Sequence, residues 1–175
     1  MNRPSSGICL LPILRGRAQA KAVIKGSEHF PDIAGIVRIY QTNSGLIIRA
    51  DISGLPRTDG TSHGRIFGFH IHEGTDCGSG MGNPFGDTMS HYNPDGAAHP
   101  DHAGDLPPLF GNNGTALSVF LTDRFSLPEI IGRTIVIHDH PDDFTTQPSG
   151  NSGTKIACGV ILAAKTCRQD GRNVL

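Results

Sequence analysis

The chain has 175 residues, a length that suits one domain around a single buried core. Its formal net charge of -1 argues against a nucleic-acid-binding protein, since that class carries a clear basic excess. Its 23 Gly and 12 Pro favour short elements joined by turns, and because no apolar run approaches the roughly 20 residues of a membrane-spanning helix, we expect a soluble protein.

The chain begins with a segment, residues 1–17, that we predict to be a flexible extension. It contains a short apolar run at 8–14, and Ala18-Gln19-Ala20 follows as a triplet that could serve as a signal-peptide cleavage site. Pro12 interrupts the run, and Arg15 and Arg17 separate it from the triplet. We therefore favour a cytoplasmic location over export, without excluding export.

Seven stretches alternate apolar and polar residues or are rich in β-branched residues, which is the pattern of β-strands. They are residues 18–25, 33–41, 46–52, 65–73, 115–122, 133–138 and 156–164. Asn43-Ser44-Gly45 predicts a hairpin turn between the second and third strands. Strands at this spacing, with no convincing helical periodicity, predict an all-β sandwich or barrel.

Two long connections interrupt the strands, at residues 74–114 and 139–154. Structureless loops of such length are uncommon unless they are functional or disordered. Both hold His, Asp, Pro and Gly rather than the highly charged composition of disordered segments. We therefore expect metal ligands to hold these loops in place and the functional site to lie there.

Two histidines lie on the fourth predicted strand, in Gly68-Phe69-His70-Ile71-His72-Glu73. Residues two apart share a face of a strand, so both imidazoles point the same way. Phe67, Phe69 and Ile71 then point to the other face and supply the core. Taken alone, the pair is explained more simply as two polar residues on a solvated sheet face.

Three histidines and an aspartate follow within fifteen residues: His91, His99, His102 and Asp105. Such a group can form a tetrahedral site of three nitrogens and one oxygen, which suits zinc. Zinc would also explain how so polar a loop stays ordered, although a histidine-rich surface loop is the alternative. His138 ends the apolar run at 135–138, where a single histidine is more often structural than a ligand.

In their order along the chain, these segments resemble copper/zinc superoxide dismutases over roughly residues 18–164. The matching segments are Gly68 to Glu73, His91-Tyr92-Asn93-Pro94, Gly104-Asp105-Leu106, Gly132-Arg133-Thr134 through His138, and Gly150-Asn151 through Ala157-Cys158-Gly159-Val160-Ile161. The resemblance implies an immunoglobulin-like Greek-key β-barrel or sandwich of about eight strands with two long functional loops. It places the catalytic domain at 18–164 and leaves a tail at 165–175.

The resemblance also implies a ligand set for each metal. Copper would be bound by His70, His72, His91 and His138. Zinc would be bound by His91, His99, His102 and Asp105, so that His91 bridges the two ions. Asp142 would link a copper histidine to a zinc histidine. Cys77 and Cys158 would form a disulfide, which leaves Cys9 and Cys167 as free thiols.

The activity that the resemblance implies is disproportionation of superoxide to dioxygen and hydrogen peroxide, with Cu and Zn as cofactors. His91 would carry a proton, and Lys155 stands where the family usually has an arginine near copper. Lysine keeps the positive charge but lacks the planar donor fork, so we expect weaker guidance of the anion. The loop at 139–154 is short and poor in lysine, which predicts weak salt dependence. The family includes dimers and monomers, so the resemblance leaves a homodimer undecided.

Two other classes of protein fit part of this pattern. A non-catalytic copper- or zinc-binding protein on the same scaffold would bind metal without turning over superoxide. A structural β-sandwich would bind no metal tightly and would be indifferent to a chelator. A zinc hydrolase fits less well, because the histidines leave no obvious open position for a zinc-bound water.

Overall fold

The computed structural model describes residues 8–57 and 65–164, and nearly all regular structure in them is β. The strands are β1 (Ala20–Gly26), β2 (Ala34–Thr42), β3 (Gly45–Ser53), β4 (Ile66–Phe67), β5 (Phe69–His72), β6 (Leu109–Phe110), β7 (Thr115–Thr122), β8 (Thr134–His138) and β9 (Lys155–Ala163). Two short helices, α1 (Leu10–Arg15) and α2 (Leu127–Ile130), and two 3₁₀ turns, Gly80–Gly82 and Gly86–Thr88, complete the elements. None of the described helices has the length and apolarity needed to cross a membrane.

Seven strands form one antiparallel sheet in the order β5-β8-β9-β1-β2-β3-β7. A second, two-stranded ladder joins β4 to β6. Because β4 runs into β5 and β6 leads into β7 through the turn at 111–114, this ladder connects the two edges of the large sheet. The sheet therefore curls around its core, and the all-β prediction is confirmed.

The core lies on the inner face of this curled sheet. In β1 the buried residues are Ala20, Ala22 and Ile24, which alternate with exposed ones as the period of two requires. The predicted hairpin is also present: Thr42 pairs with Gly45, and Asn43-Ser44 forms the turn. Both features follow directly from the local pattern of the sequence.

The predicted strand at 65–73 is divided into β4 and β5 at Gly68. At Gly68 the chain leaves the ladder with β6, because the Gly68 N–H donates to the His140 carbonyl and the Gly68 carbonyl accepts from the His138 N–H. The sequence shows no convincing helical periodicity, and the two helices that form, α1 and α2, have only six and four residues. Ser126 and Glu129 cap α2 reciprocally, a local signal that apolar periodicity does not capture.

The disulfide prediction is confirmed, because Cys77 and Cys158 are bonded. This bond ties the long loop at 74–114 to the buried strand β9. Cys9 is an exposed free thiol, whereas Cys167 lies outside the described residues, as does the tail at 165–175. The boundaries of the predicted extension and domain stay predictions.

Candidate metal centre

The two histidines of β5 are buried at the centre of the site. His70 is 0% exposed and His72 is 1% exposed, so the interpretation of a solvated sheet face was wrong. The opposite face of the strand carries Phe69 and Ile71 in the apolar core, as predicted. The loops at 74–114 and 139–154 fold over the histidine face, which sequence periodicity alone could not show.

The long loop is held beside β5 by backbone pairing. His91 forms a bridge with His72, and Asp105 forms one with His70. The Tyr92 N–H donates to the Ile71 carbonyl at 2.8 Å. Gly104 lies between these segments, where a Cβ would collide with the Ile71 carbonyl oxygen and lie 2.9 Å from the Tyr92 nitrogen. This pairing brings the loop histidines to the strand histidines.

Four histidines form the first of two groups able to hold a metal ion. Each of His70, His72, His91 and His138 offers one ring nitrogen, and these atoms all lie within 4.8 Å of one another. The Nε2 atoms of His72 and His138 are 3.3 Å apart. His72 donates its Nδ1–H to the Met89 carbonyl at 2.9 Å, so its Nε2 carries a lone pair.

His138 has the matching arrangement, because its Nδ1 lies 3.4 Å from the Gly153 carbonyl. Its Nε2 then presents a second lone pair toward that of His72. Burial, followed by the charges of neighbouring imidazoles, holds the pKa of both rings well below the usual value. Two neutral rings with facing lone pairs repel each other, and a cation between them would remove that repulsion. The chemistry of this group therefore fits a metal.

The second group is His91, His99, His102 and Asp105, again with ligand atoms within 4.8 Å of one another. The Nδ1 of His91 donates to Asp105 Oδ1 at 2.7 Å. The Nδ1 atoms of His99 and His102 lie 3.0 and 3.3 Å from Asp105 Oδ2. Burial alone would raise the pKa of Asp105, but the hydrogen bond and charge of His91 outweigh it and lower that pKa. The carboxylate is therefore ionised at neutral pH.

Asp142 connects the two groups by binding the Nε2 atoms of one histidine from each. Its Oδ2 accepts from His70 Nε2 at 2.7 Å, and its Oδ1 accepts from His99 Nε2 at 2.8 Å. Burial would raise the pKa of Asp142, yet its hydrogen bonds with His70, the Phe144 N–H and His99 lower it. The carboxylate fixes the tautomer of both rings and turns their Nδ1 lone pairs toward the two groups.

Four buried ring nitrogens among the described residues have no hydrogen-bond partner. They are His70 Nδ1, His91 Nε2, His99 Nδ1 and His102 Nδ1. The short contacts of His99 and His102 with Asp105 lack hydrogen-bond geometry, so proximity there reflects convergence on a common point. Native proteins rarely leave buried polar atoms unsatisfied. All four atoms belong to the two groups, which is the pattern expected of metal ligands.

A cavity of about 440 Å³ opens above the first group, and its lining includes His72, His91, His138 and Lys155. Lys155 donates from Nζ to Thr88 Oγ1 at 2.7 Å, to the Met89 carbonyl at 2.9 Å and to the Phe85 carbonyl at 3.4 Å. Burial lowers its pKa from the ordinary lysine value. The ammonium is therefore a fixed charge at the cavity wall rather than a free arm.

Sequence reasoning singled out every residue of the two groups, together with Asp142, Lys155 and the disulfide. It missed Thr88 and Met89, which hold Lys155 and, through the Met89 carbonyl, the His72 ring. A backbone carbonyl acts irrespective of side-chain type, so no residue pattern could have indicated the part played by Met89.

Fold and site together define a class of protein: a curled antiparallel β-scaffold with two neighbouring histidine-rich groups that have His91 in common. Comparison with known sequences then identifies the family. Residues 33–161 match the family model described as copper/zinc superoxide dismutase (SODC). The chain belongs to the copper/zinc superoxide dismutase family.

Individual relatives agree with this assignment. The chain is 34% identical over 146 residues to "Superoxide dismutase [Cu-Zn] 2" of Aquifex aeolicus, covering 74% of this chain and 80% of the relative. It is also 34% identical over 138 residues to "Superoxide dismutase [Cu-Zn]" of Legionella pneumophila, covering 75% and 79%.

Solved structures show the same fold. The Cu/Zn superoxide dismutase from Brucella abortus aligns with a TM-score of 0.67 at 26% identity, covering 81% of this chain and 98% of that one. A superoxide dismutase-like protein from Bacillus subtilis aligns with a TM-score of 0.64 at 28% identity, covering 80% and 96%.

Proposed function

We propose that the protein is a superoxide dismutase, which converts two superoxide anions and two protons to dioxygen and hydrogen peroxide. The observation that carries this proposal is the position of His91, whose two ring nitrogens face two different groups of ligands. The relatives named as copper/zinc superoxide dismutases favour turnover over the alternative of a non-catalytic metal carrier.

In this proposal, His70, His72, His91 and His138 bind copper, and His91, His99, His102 and Asp105 bind zinc. Imidazole nitrogens suit copper, and three nitrogens with one carboxylate suit a closed tetrahedral zinc site. The cavity favours the same division, because three members of the four-histidine group line it, against two of the other group, His91 and His102. The ion with an accessible position would therefore be copper.

Copper bound by these histidines would supply reversible one-electron chemistry, enough to oxidise one superoxide to dioxygen and to reduce a second one, with two protons, to hydrogen peroxide. The chain's own contribution begins with His91, whose Nε2 has no partner within the described residues and lies beside the cavity. When this atom is not bound to a metal, a proton held there is within reach of a product formed in the cavity. The opposite nitrogen, Nδ1, faces Asp105 and the zinc group, and zinc bound there would keep the ring oriented for this exchange.

Lys155 supplies the positive charge that an anionic substrate requires. Its side chain lines the cavity, and three oxygen acceptors fix the position of its ammonium. Glu73 also lines the cavity, and its opposite charge offsets part of the attraction. We therefore expect modest electrostatic guidance of superoxide and a weak dependence of turnover on salt.

Superoxide is the partner that this chemistry requires. A homodimer remains a prediction that sedimentation equilibrium of the metal-loaded chain would test. The net charge of -1 gives no reason to expect binding to nucleic acid.

The proposal is tested by measuring superoxide turnover of the purified chain after addition of copper and zinc. The control is His138→Ala, which removes one copper ligand and leaves the zinc group intact. We expect turnover by the wild-type chain and a loss of at least about tenfold in the variant. Metal binding without turnover in the wild type would instead identify a metal carrier.

A further inference from the structure

The backbone of the segment 99–105, which carries three of the four zinc-group residues, is held by two side chains that are not ligands. One is Arg124, which follows β7, and the other is Gln147, in the loop at 139–154. We propose that Arg124 and Gln147 are positioning residues that form a backbone clamp and set the zinc affinity. This inference rests on the proposed zinc site.

Arg124 contacts the outer side of the segment. Its Nη1 lies 3.1 Å from the Pro100 carbonyl oxygen, 3.1 Å from that of His102 and 3.4 Å from that of Asp105. Its other terminal nitrogen, Nη2, lies 3.9 Å from an Asp101 carboxylate oxygen. A single guanidinium thus contacts three carbonyl oxygens of the segment 99–105, while the side chains of His102 and Asp105 belong to the metal group.

Gln147 contacts the same segment from the opposite loop. Its Oε1 accepts from the His99 N–H at 3.0 Å, and its Nε2 donates to the His99 carbonyl at 2.6 Å. The amide therefore pairs with the backbone of His99 as a neighbouring β-strand would. Asp142, from the same loop, simultaneously holds the His99 ring. The loop at 139–154 therefore fixes both the backbone and the ring of His99.

The physical consequence is preorganisation. Metal affinity falls if binding must also order the ligands, because the conformational entropy of the segment is then lost on binding. His99, His102 and Asp105 lie within seven consecutive residues and between two clamping contacts, so little freedom remains to be lost. Arg124 and Gln147 are themselves exposed, and each contact is therefore worth less than a fully buried one.

The test uses cobalt(II), a spectroscopic substitute for zinc whose visible absorption reports tetrahedral coordination, together with zinc affinity from chelator competition. The variants are Arg124→Met, Gln147→Leu and their combination. We expect the zinc dissociation constant to rise about fivefold in each single variant and at least about tenfold in the double variant. Arg124→Lys, which keeps a cation, should recover part of the loss.

Two matched controls separate the clamp from general destabilisation. Arg38→Met removes a guanidinium that binds Asp51 on the sheet, and Gln19→Leu removes an amide that also contacts backbone at two points, far from the site. These controls should leave the zinc dissociation constant unchanged. Copper affinity of the four-histidine group should change less than zinc affinity in the clamp variants.

Equal zinc affinity in clamp variants and wild type, or equal losses in the controls, would overturn the inference. If the double variant does not fold, the two single variants give the same comparison. A wild-type chain that binds no cobalt or zinc would overturn the zinc site itself and the clamp with it.

Discussion

Gly150 offers a sharp test of how the two metal groups are connected. Its φ is +66°, and a Cβ at this position would collide with Asp142 Oδ1 and lie 2.6 Å from His99 Nε2. Gly150→Ala should therefore push the Asp142 carboxylate away from the histidines while every metal ligand remains in the chain. The substitution would therefore disturb the orientation of the His70 and His99 rings without removing a metal ligand.

The expected magnitude comes from the hydrogen bonds that the substitution would break. A left-handed backbone costs alanine about 1–2 kcal/mol. Displacing the carboxylate breaks two buried hydrogen bonds to charged oxygen, each worth about 1.5–3 kcal/mol, so we expect a further loss of about 3–6 kcal/mol in the free energy of unfolding. Metal affinity should fall by about 10- to 100-fold, the usual effect of losing a partner of the ligands.

Gly96→Ala is the matched control, because Gly96 has φ +65° and a Cβ added there would have no atom within 4 Å among the described residues. It carries the same backbone cost without the collision. The assay is metal affinity by chelator competition, with chemical denaturation of each variant. If Gly150→Ala and Gly96→Ala behaved alike in both measurements, the carboxylate bridge would have no role in positioning the ligands.

Single side chains give three further predictions. Lys155→Arg should raise superoxide turnover at low salt by less than about tenfold, since the charge is unchanged and only the donor fork is added; an unchanged rate would contradict the expected weakness of lysine as a guide. Cys158→Ser opens a covalent loop of sequence separation 81 and should cost about 4.5 kcal/mol in urea denaturation of the metal-free chain. A urea midpoint of this variant equal to that of the wild type would refute the expected loss of stability. Phe69→Ala, at a fully buried core position, should cost about 3–5 kcal/mol in the same assay, and a loss below about 1 kcal/mol would show that the core collapses to fill the space.

The strands were predictable because their side chains alternate between a buried and an exposed face. The alternating pattern in β1 is sufficient by itself to predict a strand, and the hairpin at Asn43-Ser44 follows from its turn residues. The division of β4 from β5 was not predictable. It depends on the Gly68 N–H donating to the His140 carbonyl and on the His138 N–H donating to the Gly68 carbonyl, and both partners lie far along the chain, outside any local window.

The site shows the same contrast. His70 and His72 could be placed on one face by strand periodicity, but their burial depends on loops that fold over them. In the sequence, His138 alone gave no indication of function. In the fold, its Nε2 lies 3.3 Å from the Nε2 of His72, which indicates a shared metal site. Its assignment therefore required either the family pattern or the fold.

Arg124 and Gln147 lay outside any sequence prediction. Both act on backbone atoms, so neither the spacing nor the type of the residues they contact distinguishes them from ordinary surface side chains. Contacts of this kind become visible only when the chain is folded.

The proposed function depends most directly on two ions lying on either side of His91. Crystals of the chain prepared with copper and zinc, measured at the absorption edge of each metal, would locate them independently. We predict a copper peak among His70, His72, His91 and His138, and a separate zinc peak among His91, His99, His102 and Asp105. A single metal position, or peaks away from the His91 ring, would contradict a histidine-bridged pair of ions.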